Sequence, residues 1–189
     1  MSALYLIRHG QPSSGWGSAD ADPGLDPEGE AQAEAASRRL LELPIDVRPI
    51  RVASSPLRRC LETAAPLADA LGVRVEIVPE VGEIPTPAAL GHDQRGPWLR
   101  TALAGRWDGI AGDLDYEAWR RTVLAAVEAR PGAAVFTHFV AINAVVSALA
   151  GAPEVIGFRP GYASITSLES AAEGLRLVAL GSEAATRVF

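Results

Sequence analysis

Apolar positions along the chain change period several times, and the changes mark out alternating strands and helices. Leu4 to Ile7 is a short unbroken apolar run of the kind buried on both faces of a parallel sheet, and Gly10 ends it. Residues 11–27, QPSSGWGSADADPGLDP, are turn formers without a period, which predicts a loop. From Asp26-Pro27-Glu28 the chain carries strong helix formers, GEAQAEAASRRLLEL, as far as Pro44, with a plausible capped start at Asp26. Ile50 to Ala53 predicts a second strand. Ser55 can then cap and Pro56 open a helix whose Leu57, Cys60, Leu61, Ala64, Ala68 and Leu71 fall on one face, with Pro66 kinking it rather than ending it.

Val73 to Val78 alternates as a strand, and PEVGEIPTPAALGHDQRGP follows as a long Pro/Gly-rich excursion that a compact domain rarely carries without a functional reason. Helices are predicted from Trp98 to Ala104 and from Tyr116 to Ala129. Ala133 to Thr137 is the next buried strand, ending at His138, and Val140 to Leu149 continues as an apolar helix. Ser164 to Leu168 and Leu175 to Leu180 predict two late strands. With no internal repeat or linker, this alternation predicts one domain over residues 1–189, a three-layer α/β/α sandwich around a largely parallel central sheet.

Composition narrows the function. The 189 residues are 48% apolar, enough for one sizeable core, and the net charge of -6 disfavours a protein that coats nucleic acid or an anionic membrane. Any anion site must be a local positive pocket. All 17 basic residues are arginine, which excludes lysine Schiff-base chemistry and favours forked recognition of oxyanions. The single Cys60 can form neither an internal disulfide nor a thiolate metal site alone. No leader pattern and no apolar run of membrane-spanning length is visible, so a cytoplasmic location is expected.

The candidate chemistry lies where the strands end. LYLI and AVFT each run into a histidine at their carboxyl ends, the edge at which open α/β sheets bind ligands, so His9 and His138 can meet. A third strand-to-helix junction, SSPLRRCLETA, brings arginines to that edge, and side chains of a first helical turn lean back toward the N-terminus. Arg8, Arg59, His9 and His138 then form a cationic pocket inside an acidic protein.

Arg8-His9-Gly10, then Leu57-Arg58-Arg59-Cys60 with Thr63-Ala64, then Thr137-His138, resemble the histidine phosphatase superfamily, also called phosphoglycerate mutase-like. DPGLDPEGEAQAEAASRRL is similar to the family's segment after the first motif. The resemblance implies in-line attack by a neutral His9 on a phosphoryl group, with a phosphohistidine that water later hydrolyses and no metal or other cofactor. It implies that Arg8, Arg59 and His138 neutralise the phosphoryl oxygens, and that Glu83, in the loop after the third strand, is the proton donor to the leaving alcohol. Glu80 competes for that role but follows the strand more closely. Where the family usually has glycine after the second histidine this chain has Phe139, whose backbone N–H can still serve phosphate while its ring narrows the site. Gln11 is a candidate phosphate contact or an ordinary turn residue.

Each residue has a plainer alternative. Of the adjacent arginines, Arg58 is expected on a solvated face; Cys60 reads as a small buried residue, and Trp98, Trp107 and Trp119 as helix packing. Trp16, in the Gly/Ser loop beside the motif, is a candidate pocket wall. His92 is expected at the surface of a hydrophilic loop, without the i, i+4 pairing of a histidine metal site. The expected activity is a phosphomonoesterase acting on a small phosphorylated substrate, with a mutase and a noncatalytic phospho-ligand or protein-binding module as rivals. Homo-oligomerisation remains possible.

Overall fold

Four strands that the sequence scatters through the chain lie side by side and parallel. The computed structural model describes residues 2–15 and 20–184, so Trp16 lies outside the described residues. Within them the strands are β1 (Ser2–Arg8), β2 (Arg51–Ser54), β3 (Val75–Ile77), β4 (Ala133–Thr137), β5 (Ile165–Ala171) and β6 (Gly174–Ala179). They form a six-stranded sheet ordered β3-β2-β4-β1-β5-β6. The first four pair in parallel, while β5 runs antiparallel to β1 and β6 antiparallel to β5, so the sheet is mixed. Five helices accompany it: α1 (Pro27–Leu41), α2 (Arg58–Leu71), α3 (His92–Leu103), α4 (Tyr116–Glu128) and α5 (Phe139–Leu149). The fold is α/β, as the alternating pattern predicts.

Two apolar cores lie on opposite faces of the sheet, because successive strand residues point to opposite sides. Leu4, Leu6, Ala133 and Val135 face α4 and α5, while Tyr5, Ile7, Ala134 and Phe136 face α1 and α2 with Leu40, Cys60 and Leu67. Central strands buried on both faces explain the unbroken apolar runs of β1 and β4.

Two helix starts differ from the sequence reading. Ser55 does not cap α2: the N-cap is Leu57, the helix begins at Arg58, and the Ser55 hydroxyl is drawn to His138 instead. The helix does run on through Pro66. Helix α3 starts at His92, six residues before Trp98, because the Gln94 side chain accepts the Gly91 N–H at 3.1 Å and supports a start inside GHDQRG. His92 therefore opens a helix rather than lying in the expected loop. No helix among the described residues is long and apolar enough to cross a membrane.

Candidate active site

Register brings the two histidines together. β1 and β4 are adjacent, with Arg8 opposite Thr137, and the His9 N–H donates to the Thr137 carbonyl at 3.0 Å. The next residues, His9 and His138, leave the same sheet edge with ring centroids 5.3 Å apart. On the other side of β4, β2 ends at Ser54 and the Ser55 N–H donates to the Phe136 carbonyl at 2.9 Å, placing α2 and its Arg59 beside His138.

Gly10 is required by a close backbone approach. A Cβ there would stand 2.6 Å from the Gly29 carbonyl oxygen, and one on Gly29 would stand 2.1 Å from that of Gln11. The first turn of α1 thus presses on the chain just past His9. Thr63 fastens it from α2, accepting the Gly10 N–H at 2.9 Å and donating to the Arg59 carbonyl at 2.6 Å. Gln11 turns to α1, its amide donating to Asp26 at 2.8 Å while Asp26 accepts the Gly29 N–H at 2.7 Å as the N-cap.

Hydrogen bonding fixes the histidine tautomers. His9 Nδ1 lies 2.7 Å from the Gly10 carbonyl, which can only accept, so Nδ1 carries the proton and Nε2 keeps its lone pair. His138 Nδ1 lies 3.2 Å from an Arg59 guanidinium nitrogen, which can only donate, so Nδ1 is the acceptor and Nε2–H donates to the Ser55 hydroxyl at 2.8 Å. Burial holds the pKa of both rings well below the ordinary 6.5; Arg8 and Arg59 push the same way for each, and His9 adds to the effect on His138. Both imidazoles are neutral near pH 7.

Among the described residues the cations are held without close acidic partners. Arg8, buried, donates to the Pro160 carbonyl at 2.9 Å and has its guanidinium 4.0 Å from the Tyr162 ring centroid and 5.3 Å from that of Phe139. Arg59, also buried, has a half-exposed Asp22 at 3.8 Å. Arg58 points away and pairs with Glu62 at 2.7 Å, the solvated face expected of it.

Glu83 reaches the pocket from the segment after β3. The Val78 N–H donates to the Ser54 carbonyl, a short 3-10 turn spans Pro79–Val81, and the Thr137 hydroxyl donates to the Val81 carbonyl. One Glu83 oxygen accepts the Ile84 N–H at 2.9 Å, and the other lies 3.9 Å from His138 Nδ1. Burial raises its pKa, opposed by hydrogen bonds from the Ile84 and Val140 N–H groups and by the two arginines. A carboxyl whose pKa burial raises, a neutral imidazole with a free lone pair and two guanidiniums can perform proton donation, nucleophilic attack and anion binding.

His9, His138, Arg8, Arg59, Glu83 and Phe139 therefore converge, whereas Gln11 engages the start of α1. Cys60 lies under His138, its thiol 3.4 Å from Nε2 and pushed up by burial, an inert packing group. Among the described residues no group of three His, Cys, Asp or Glu side chains is placed to hold a metal ion. Two participants were missed. Ser55 sits at a strand's carboxyl end, the signal that located the histidines, but reads as a helix cap. Tyr162 carries no local signal, because only the pairing of β5 with β1 brings it to His9, ring centroids 5.7 Å apart.

Solved structures of similar shape include phosphatases. A mycobacterial glucosyl-3-phosphoglycerate phosphatase complexed with VO3 is 26% identical over 96% of this chain and 100% of its own, with a TM-score of 0.70. An Entamoeba histolytica phosphoserine phosphatase bound to 3-phosphoglyceric acid superposes with a TM-score of 0.76 over 96% of this chain and 98% of its own, at 22% identity. The Saccharomyces cerevisiae transcription factor tau 55 kDa subunit is 29% identical over 64% of this chain, which spans about a third (32%) of that protein's length. The family model of the histidine phosphatase superfamily (branch 1) matches residues 4–183, and the chain belongs to that family.

Proposed function

We propose that the protein is a metal-independent phosphomonoesterase that works through a phosphohistidine at His9 on a small phosphorylated metabolite. The observation that carries this reading is the state of His9: neutral, with Nδ1–H tied to the Gly10 carbonyl, leaving Nε2 free to attack while Arg8 and Arg59 both act on the ring. The phosphatases similar in shape act, by their names, on small phosphorylated compounds, which supports the substrate class.

In the first half-reaction the Nε2–P bond forms as the P–O ester bond breaks, and Glu83 gives its proton to the departing oxygen. Arg8 and Arg59 meet the charge on the equatorial oxygens. With a phosphoryl dianion bound, a proton taken up from solvent at His138 Nδ1 lets that ring hydrogen-bond a phosphoryl oxygen, and the proton returns to solvent when phosphate leaves. In the second half-reaction Glu83, now ionised, takes a proton from water as the water oxygen attacks phosphorus and Nε2 leaves. The sum is ester plus water giving alcohol plus phosphate.

Phosphate release from alkyl and aryl monoesters in the presence of EDTA, with wild type beside His9→Ala, tests the proposal. The expected result is EDTA-resistant turnover, a trapped acid-labile phosphoenzyme in the wild type, and loss of both in the variant. Undiminished turnover by His9→Ala would sink the assignment. Failure to release phosphate from any ester, with phosphohistidine still trapped, would favour a mutase.

A further inference from the structure

Tyr162 stands beside the nucleophile without a part in the chemistry above. Its turn is bolted to the catalytic strand: the Ala163 N–H donates to the His9 carbonyl at 3.3 Å, Arg8 donates to the Pro160 carbonyl at 2.9 Å, and the Gly161 N–H donates to the Ser182 carbonyl at 2.8 Å. Ala163 holds a left-handed φ of 50°, the one non-glycine residue to do so among the described residues, and that conformation sets the direction of the turn carrying Tyr162. The ring covers the Arg8 guanidinium at 4.0 Å and lies 5.7 Å from the His9 ring. Arg8 and His9 are only 4% and 5% exposed, while Tyr162 is 36% exposed, so of these three side chains it is the one that a group arriving from solvent can reach.

Charge defines what that side can meet. Arg8 and Arg59 are the cations acting on His9, His138 and Glu83, and a phosphoryl dianion engages both. Asp22 lies 3.8 Å from Arg59, so an acidic side chain already stands beside one of the two cations that a second anionic group would need. We propose that Tyr162 is a specificity-determining wall of the leaving-group subsite, selecting phosphate monoesters whose alcohol is uncharged and presents a flat apolar face. The proposal rests on the phosphatase reading of this site and names the substrate class for it.

Phosphonates, which bind without being hydrolysed, separate the two ideas. Calorimetric affinities of benzylphosphonate, ethylphosphonate and 3-phosphonopropionate are compared in wild type, Tyr162→Ala and Tyr162→Phe. Wild type is expected to prefer benzylphosphonate over ethylphosphonate by about five- to tenfold, the scale of one aromatic stack, and to bind 3-phosphonopropionate most weakly. In Tyr162→Ala the benzyl-to-ethyl ratio falls to near one, while Tyr162→Phe keeps it. A merely structural role would weaken all three ligands together and leave the ratio intact, and that result overturns the proposal, as does tightest binding of the carboxylated ligand. Hydrolysis of benzyl phosphate is read in parallel: the predicted affinity ratios without turnover would sustain the aromatic wall and remove the phosphatase reading instead.

Discussion

Replacing Glu83 with glutamine removes one proton and little else. The glutamine carbonyl can still accept the Ile84 N–H that Glu83 holds at 2.9 Å, so the segment keeps its anchor. The oxygen nearer the phosphoryl site, 3.9 Å from His138 Nδ1, becomes an amide that cannot transfer a proton. General acid catalysis contributes about 10²- to 10⁴-fold, or roughly 3–5 kcal/mol of barrier. The Glu83 side chain is only 14% exposed, so water replaces it poorly, and the loss on ethyl phosphate should reach about 10³-fold in kcat. For p-nitrophenyl phosphate, whose leaving group needs little protonation, the loss should stay below about tenfold.

Steady-state kinetics on both esters across pH supply the assay. Because burial raises the Glu83 pKa, the acid form persists above the ordinary 4.5, and the wild-type alkyl activity should fall as pH rises through the shifted value; the variant should lack that limb. The stability sign follows from the same shift. The folded protein holds this proton more tightly than the unfolded chain, so the contribution of Glu83 is complete below about 4.5 and declines as pH rises through the folded value. Glu83→Gln should therefore melt higher than wild type at neutral pH while being the poorer enzyme. Equal losses on the alkyl and aryl esters would refute the assignment and place the acid elsewhere.

Three further outcomes test the scaffold around the site. Ser55→Ala strips the acceptor from the buried His138 Nε2–H and should cost about 1–3 kcal/mol in urea denaturation, with kcat reduced; unaltered stability would mean that another group holds the ring. Gly29→Ala drives a methyl against the Gln11 carbonyl and should destabilise by about 1–3 kcal/mol or more, so a melting temperature equal to wild type would contradict the close approach. His9 and His138 both have folded pKa values well below 6.5, so the folded state binds fewer protons; the stability they supply is present above 6.5 and lost as pH falls below it. Thermal melts from about pH 5 to pH 8 should show that acid limb reduced in His9→Ala, and an unchanged slope would assign it to other groups.

Much of this was legible because buried parallel strands write themselves as unbroken apolar runs. LYLI and AVFT located β1 and β4, and their ends located His9 and His138. Asp26-Pro27 marked the start of α1 because its capping chemistry is local. What stayed hidden depends on contacts between distant segments. Ser55 has the local chemistry of a cap, yet the stronger claim on its hydroxyl comes from a histidine just past the end of β4. Tyr162 enters through the antiparallel pairing of β5 with β1, and no period in the chain announces it. Helix α3 was read short because GHDQRGP is polar and contains Pro97, and a polar stretch shows no apolar period from which a helix can be drawn.

The four groups of the pocket are costly to bury, and the cost is also its chemistry. Arg8 is 4% exposed, His9 5%, Arg59 7% and His138 0%, and desolvation is the leading cause of the lowered pKa of Arg8 and of both histidines. Two closely matched carboxylates would relieve that strain, but they would also occupy the arginines and favour protonated imidazoles. Instead Asp22 stays half exposed at 3.8 Å, and Glu83 is pushed by burial toward its neutral form. On the proposed reading one condition, cations left short of counter-charge in a buried pocket, does three things. It keeps His9 unprotonated, leaves the arginines to be matched by an incoming phosphoryl dianion, and acts together with a carboxyl whose pKa burial raises. Adding an acid to stabilise the empty pocket would weaken the first two at once, so stability and catalysis oppose each other at this sheet edge.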